Sequence, residues 1–210
     1  MTTPRILIGI DPGHDAAAAV ALLDTGDPVL QVLAVSSYRR TQRAKVRGWT
    51  VETWTAQDQV AVPGVWYSVA EQAATGLVAC VRYVGRMHPE TPVVAVTVEG
   101  ARWGGGEGRR RTAASIASLA TSRGRILQAL HAAGYPATSE PVAAEWRPRV
   151  LRVSGASSGE ASKHAAIAWV TGRRVLRRDV PDWRVAWPEA LTCQDHEAEA
   201  ACLAVWGRPA

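Results

Sequence analysis

The chain has 210 residues, of which 47% are hydrophobic and 20% are charged, the composition of an ordinary soluble globular protein. No apolar run approaches the roughly 18 residues that a membrane-spanning helix needs. The N-terminus carries no signal-like segment, so we expect a cytoplasmic protein. The three cysteines are odd in number and form no CxxC pair, which argues against a disulfide framework or a zinc ribbon.

The formal net charge is +5, and the positive charge is concentrated in the second half of the chain. Residues 102–178 hold 14 Lys and Arg but only 4 Asp and Glu. A basic half with a few isolated acids suits a polyanionic partner such as a nucleic acid. A solvated basic surface without any partner would have the same composition, so charge alone leaves both interpretations open.

The predicted elements alternate between strands and helices over a single domain, 1–210. The first three strands have connections too short for crossover helices, so they form an antiparallel meander. Taken in order, the predictions are strands over 5–11, 16–23 and 29–35, a loop or small insertion over 39–63, a helix over 65–87, a strand over 93–98, a glycine-rich loop over 101–111, a helix over 112–133, a strand over 138–142, a short helix or turn over 148–153, a helix over 157–170, a basic connection and possible insertion over 172–192, and a helix over 193–206. This order predicts an α/β protein with a mixed sheet and helices on both faces.

Two buried strands are predicted to end in a carboxylate, Asp11 before Pro12-Gly13 and Glu99 before Gly100. If these strands are parallel neighbours, both acids emerge at one sheet end, where ligands of such sheets bind. Two carboxylates there form an oxygen-rich site suited to Mg²⁺ or Mn²⁺. Each acid also has an ordinary interpretation, as a turn aspartate or as a glutamate paired with Arg102.

The last predicted helix opens with Asp195-His196-Glu197-Ala198-Glu199. Asp195 and Glu199 are four residues apart and His196 and Glu199 are three apart, so each pair shares a helix face, whereas Glu197 should point elsewhere. Acids in a first turn also favour the helix dipole without any ligand. The small residues that follow, Ala200 to Ala204, suit close packing against a sheet.

Together, residues 9–13 (GIDPG), 98–100 (VEG) and 195–199 (DHEAE) resemble the RuvC family of Holliday junction resolvases, within the ribonuclease H-like superfamily. Residues 115–124 and 155–163 resemble that family's central helix and its later loop and helix start. The resemblance covers nearly the whole chain. It implies a ribonuclease H-like mixed five-stranded sheet, with the first three strands antiparallel and helices on both faces.

The resemblance also implies a Mg²⁺-dependent endodeoxyribonuclease that resolves four-way DNA junctions by paired symmetric nicks, working as a homodimer and leaving 5′-phosphate and 3′-hydroxyl ends. Two ions about 4 Å apart would be bound, and Mn²⁺ should substitute. Asp11 would bridge the ions and Glu99 would hold one. Glu199, with either His196 or Asp195, would coordinate the other ion, and the sequence leaves the choice between His196 and Asp195 open.

The lysine that the family carries directly after its helix-start glutamate is replaced here by Ala161, with Lys163 two residues further on. We therefore keep Lys163 as a candidate catalytic residue. The candidate contacts to DNA are Arg102, Trp103, Arg109, Arg110, Arg111, Arg123, Arg125, Arg147, Arg149 and Lys163.

The main alternative is a related ribonuclease H-like nuclease that cuts flaps, other branched DNA or RNA–DNA hybrids. An actin-like kinase or ATPase is disfavoured by the short chain and by the acidic closing helix. A catalytically inactive DNA-binding module is disfavoured because carboxylates are present in all three motifs, 9–13, 98–100 and 195–199.

Overall fold

The structure is a computed structural model. It describes residues 3–13, 16–46, 49–58, 69–100, 113–153, 159–172, 184–189, 191 and 193–209. In chain order, its elements are β1 (Arg5–Asp11), β2 (Ala16–Asp24), β3 (Val29–Val46), β4 (Trp49–Asp58), α1 (Val69–Met87), β5 (Val93–Val98), α2 (Ala113–Ala132), α3 (Ala143–Val150), α4 (Gly159–Val170), β6 (Arg184–Ala186) and α5 (Asp195–Trp206). Within these residues, no helix is both long and apolar enough to cross a membrane.

The sheet is mixed, in the order β4-β3-β2-β1-β5, with β6 paired to the start of β3. The first three strands form the expected antiparallel meander, and β5 lies parallel to β1. The predicted strand over 138–142 follows β5 in parallel, but only through isolated bridges from Thr97 to Ser139 and from Gly100 to Val142. Pro141 has no N–H to donate, which limits a regular ladder there.

Of the two predictions for 39–63, a loop or a small insertion, the loop is wrong for the described residues, because β3 continues to Val46 and β4 pairs back along it. The Thr, Val and Trp residues of β4 favour extended backbone. The prediction missed this because the arginines that precede them are typical of a solvated loop. Residues 59–63 lie outside the described ranges. The 172–192 connection contains β6, and residues 173–183 are likewise outside the description.

The short helix predicted at 148–153 begins earlier, at Ala143, and ends at Val150. Pro148, the first residue of the predicted segment, lies inside α3. In the structure the Glu145 side chain accepts from the Val142 backbone N–H at 3.0 Å, and this contact sets the start. Gly134 lies just after the end of α2 and has a positive φ of 82°, the left-handed conformation that glycine commonly adopts after a helix.

Helices cover both faces of the sheet, as predicted. Alternate residues of β1 face opposite ways: Ile6, Ile8 and Ile10 pack in the core under α1 and α2, whereas Leu7 packs in the core under α3, α4 and α5. A Cβ at Gly9 would lie 1.9 Å from the Ala200 carbonyl oxygen, so α5 presses directly on β1. This close contact brings the start of α5 to the end of β1.

Candidate metal centre

The carboxylates Asp11 and Glu99 lie side by side at one edge of the sheet. Asp11 ends β1 and Glu99 directly follows the parallel neighbour β5. The Glu99 backbone N–H donates to the Ile10 carbonyl at 3.0 Å, which ties the two strand ends together. Asp11 is two residues beyond Gly9, and so belongs to the face of the sheet that α5 covers.

The first turn of α5 completes the cluster. Potential ligand atoms of Asp11, His196 and Glu199 all lie within 4.8 Å of one another. Nδ1 of His196 is 2.5 Å from Oδ2 of Asp11. The two acids are almost fully buried, at 2% exposure for Asp11 and 3% for Glu199. Two buried carboxylates and an imidazole fit the donor set of a divalent cation.

Asp195 is engaged elsewhere. Its Oδ2 accepts from Lys163 Nζ at 2.5 Å, and its Oδ1 lies 3.4 Å from Nη2 of Arg39. Oδ2 of Asp195 is also 3.9 Å from Nε2 of His196. The other ring nitrogen of His196, Nδ1, is the one that contacts Asp11. Of the two alternatives that the sequence left open, the structure brings His196 into the cluster and pairs Asp195 with two cations.

Helix α3 holds two of the carboxylates through adjacent residues. Nε1 of the fully buried Trp146 donates to Oε1 of Glu99 at 3.1 Å. Nη2 of Arg147 donates to Oε1 of Glu199 at 2.5 Å. Sequence reasoning missed Trp146 and treated Arg147 only as a DNA contact, because nothing in the local pattern indicates that α3 docks against the end of β5.

The buried acids resist ionisation. Burial, followed by the charges of Asp11 and Glu199, raises the pKa of Glu99 to about 8. Burial and the charge of Asp11 raise the pKa of Glu199 to about 7, although Arg147 opposes the shift. A bound divalent cation would offset the cost of burying these charges and relieve the repulsion between the carboxylates.

The pKa values of the neighbouring groups His196, Asp195 and Lys163 are shifted in the direction that favours their charged forms. Burial disfavours the imidazolium of His196, but the hydrogen bond to Asp11 and the charges of Asp11 and Asp195 together outweigh burial and raise the pKa of His196. Burial also disfavours the Asp195 carboxylate, but the hydrogen bond to Lys163 and the charges of the neighbouring cations together outweigh burial and lower the pKa of Asp195. Burial likewise disfavours the Lys163 ammonium, but the same hydrogen bond and the charges of the nearby carboxylates together raise the pKa of Lys163. Asp195 and Lys163 therefore form a stable ion pair beside the cluster.

We expect the metal-free protein to lose stability as the pH rises from about 5 to about 9. The folded-state pKa values of Glu99, Glu199 and His196 are raised, so the folded state binds more protons than the unfolded state in this range. The stability is therefore greatest at the acidic end and declines through the raised pKa values. The measurement is thermal unfolding in EDTA across this range, where Tm should fall by about 3 °C or more.

Two comparisons test whether the cluster causes this pH dependence of stability. Mg²⁺ or Mn²⁺ should reduce the fall in Tm, because a metal replaces protons on the same ligands. Glu99→Gln should flatten the profile, since the amide oxygen can still accept from Trp146 but does not titrate in this range. A Tm that stays level or rises toward pH 9 in EDTA would contradict the prediction.

The predicted DNA-binding residues fall into three groups. Arg102, Trp103, Arg109, Arg110 and Arg111 lie outside the described residues. Three others are engaged within the chain: Arg147 and Lys163 as above, and Arg123 through an ion pair with Glu140 and a bond to the Glu99 carbonyl. Arg125 and Arg149 are exposed, the latter with its guanidinium 5.0 Å from the centre of the Trp206 ring.

No protein-family model matches the chain, and no curated protein matches it. Among solved structures, the chain is similar to Thermus thermophilus RuvC in complex with a Holliday junction substrate. The identity is 17% and the TM-score 0.52, over 96% of this chain and 91% of that one. A second T. thermophilus RuvC structure has 16% identity and a TM-score of 0.42, over 95% and 91%. The first likeness, together with the sheet order, establishes that the chain has the ribonuclease H-like fold of RuvC over nearly its whole length.

Proposed function

We propose that the chain is a RuvC-type, metal-dependent DNA endonuclease that resolves four-way junctions by paired symmetric nicks. The observation that carries the proposal is the buried cluster of Asp11, His196 and Glu199, with Glu99 beside it, at one edge of a ribonuclease H-like sheet. The similar T. thermophilus RuvC structure contains a Holliday junction, which supports the same substrate class for this chain.

The contacts in the cluster support a ligand set. Asp11, His196 and Glu199 would hold one Mg²⁺ or Mn²⁺, and Glu99, which follows the strand next to β1, would hold a second ion together with Asp11. Bound metal would supply an activated water and would stabilise the leaving 3′-oxygen, giving 5′-phosphate and 3′-hydroxyl ends. Trp146 and Arg147 fix the orientation of Glu99 and Glu199 before any ligand arrives.

Lys163 is the described cation best placed for the scissile phosphate. Its side chain is 39% exposed, and its ammonium is held beside the cluster by Asp195. It can donate to a phosphate oxygen while keeping its charge, because its raised pKa favours the ammonium form. The exposed Arg125 and Arg149 would add contacts to the backbone of the DNA.

We expect His196, rather than Asp195, to bind metal. A metal-bound histidine commonly has a carboxylate near its other ring nitrogen, which orients the ring, and Asp195 occupies that position beside Nε2. His196→Gln should weaken Mn²⁺ binding by at least about 100-fold, whereas Asp195→Asn should weaken it by about 10-fold. Calorimetric titration of each variant with Mn²⁺, without DNA, provides the measurement. Equal losses in the two variants would make Asp195 a ligand.

The decisive experiment is cleavage of a synthetic four-way junction with Mg²⁺, beside a linear duplex, a flap and an RNA–DNA hybrid. Nicks placed symmetrically across the junction, and absent from the other substrates, would support a resolvase. Paired nicking needs two active sites related by a two-fold axis, so we also propose a homodimer. Sedimentation of the protein alone and with the junction tests this part separately.

Two outcomes would revise the proposal. Cleavage mainly of the flap or the hybrid would keep the metal centre but move the activity to a related nuclease. Binding of the junction without cleavage in either Mg²⁺ or Mn²⁺ would leave a DNA-binding protein and overturn the nuclease assignment.

A further inference from the structure

Strand β3 extends beyond the sheet that it belongs to. Its pairing with β2 ends at Arg39, which is opposite Ala16, whereas its pairing with β4 continues to Val46 and Trp49. Residues 40–46 and 49–54 therefore pair only with each other in the described part of the chain. We call this two-stranded ribbon the β3–β4 arm. Its length is about 20 Å at roughly 3.3 Å per residue.

The arm leaves the sheet at the edge that carries the metal centre. Strands β1 and β3 both run antiparallel to β2, so they point in the same direction. Asp11 and Ser37 are both partners of Ala18, and are therefore level with each other across the sheet. Arg39 lies two residues past that level, and its guanidinium reaches Asp195 at 3.4 Å. The arm thus begins directly beside the cluster.

The arm and its base are strongly basic. Within the described residues 39–46 and 49–54, the basic residues are Arg39, Arg40, Arg43 and Lys45, and Glu52 is the one acid. A two-stranded ribbon is narrow enough to enter the major groove of DNA, which is about 12 Å wide. Its positive charge matches the phosphates that border the groove. Shape and charge therefore indicate the same partner.

We propose that the β3–β4 arm binds the duplex next to the scissile phosphate. A ribbon of about 20 Å spans roughly six base pairs at about 3.4 Å per step. Arg39 connects the arm to the metal centre through Asp195, so a duplex that reaches the cluster continues along the arm. This inference rests on the proposed nuclease function, and it adds a binding element to that function.

The test removes the charge of the arm through a triple variant, Arg40→Gln with Arg43→Gln and Lys45→Gln. The charge-matched control replaces three exposed arginines away from the metal centre, Arg82 and Arg86 on α1 and Arg184 on β6. Junction binding is measured in EDTA by fluorescence anisotropy at several salt concentrations. We expect the arm variant to bind roughly 10- to 100-fold more weakly than the control at about 0.1 M salt. The slope of log K against log salt should be smaller by about 2 to 3.

Equal affinities for the arm variant and its control would overturn the inference. A changed sedimentation profile with unchanged DNA affinity would overturn it as well, by making the arm a protein interface. A shortened variant, in which Asn-Gly replaces residues 41–53, covers the case in which the triple variant fails to fold, because this dipeptide favours a tight hairpin turn. It should show the same loss of binding.

The same experiment separates this inference from the proposed function. If the wild-type protein cuts the junction but the arm variants bind as tightly as their control, the arm inference fails alone. If the wild-type protein neither binds nor cuts any of the DNA substrates, the proposed function fails and the arm inference fails with it.

Discussion

Replacing Asp11 with asparagine should reduce junction cleavage by at least about 1,000-fold while leaving DNA binding nearly unchanged. The carboxylate is 2% exposed and has an oxygen within 4.8 Å of ligand atoms of both His196 and Glu199, so its charge would serve the proposed metal centre rather than the DNA surface. Losing a metal ligand removes several kcal/mol of transition-state stabilisation, and each 1.36 kcal/mol is a factor of ten in rate. The measurements are single-turnover cleavage with Mg²⁺ and junction affinity in EDTA.

Asp24→Asn is the matched control, since Asp24 is also a buried aspartate at a strand end. It lies opposite Arg5, at the far end of the β1–β2 pair, and accepts from Arg5 and Arg208 at 2.7–2.9 Å. This variant should lose about 3 kcal/mol of stability, because it weakens a buried charge pair. Its cleavage rate, measured well below its Tm, should stay within about 2-fold of the wild-type rate. An Asp11→Asn protein that cuts as fast as this control would contradict the proposed metal centre.

Gly9→Ala should destabilise the fold more than most single substitutions. The added Cβ would lie 1.9 Å from the Ala200 carbonyl oxygen and 2.3 Å from the Ala204 amide nitrogen, and both of these atoms belong to the α5 backbone. Backbone cannot rotate away as a side chain can, so α5 would have to move from β1. We expect a loss of about 3 kcal/mol, or about 10 °C in Tm for a chain of this size. Thermal unfolding provides the measurement.

Gly124→Ala is the control for this substitution. Gly124 lies inside α2, and a Cβ there would meet no atom within 4 Å apart from its chain neighbours and the nearby backbone of its own helix. Alanine is a better helix former than glycine by about 1 kcal/mol, so this variant should be as stable as the wild type or more stable. If both glycine variants unfold at the wild-type temperature, the close contact between β1 and α5 is not present in solution. A shift of α5 should also weaken Mn²⁺ binding in Gly9→Ala, because α5 carries His196 and Glu199.

The sequence by itself determined β1, β2, β5 and most of the helices, together with the acidic residues at their ends. The uninterrupted apolar runs before Asp11 and Glu99 identified buried strands that end in carboxylates, since strand burial and strand termination are both local properties. The spacing of His196 and Glu199 identified a shared helix face for the same reason. These local patterns were enough to predict the mixed sheet, the helices on both faces and the residues of the candidate cluster.

Only the tertiary structure decided what those residues contact. Asp195 is paired with Lys163 and Arg39, which come from a different helix and strand, and no local pattern encodes such contacts. Trp146 reaches Glu99 across 47 residues, because α3 docks beside the end of β5. The long β3–β4 pairing was missed because the register between two strands is a non-local property. By sequence alone, the arginines of β3 are typical of a solvated loop, and it is the hydrogen bonding to β4 that places them in a strand.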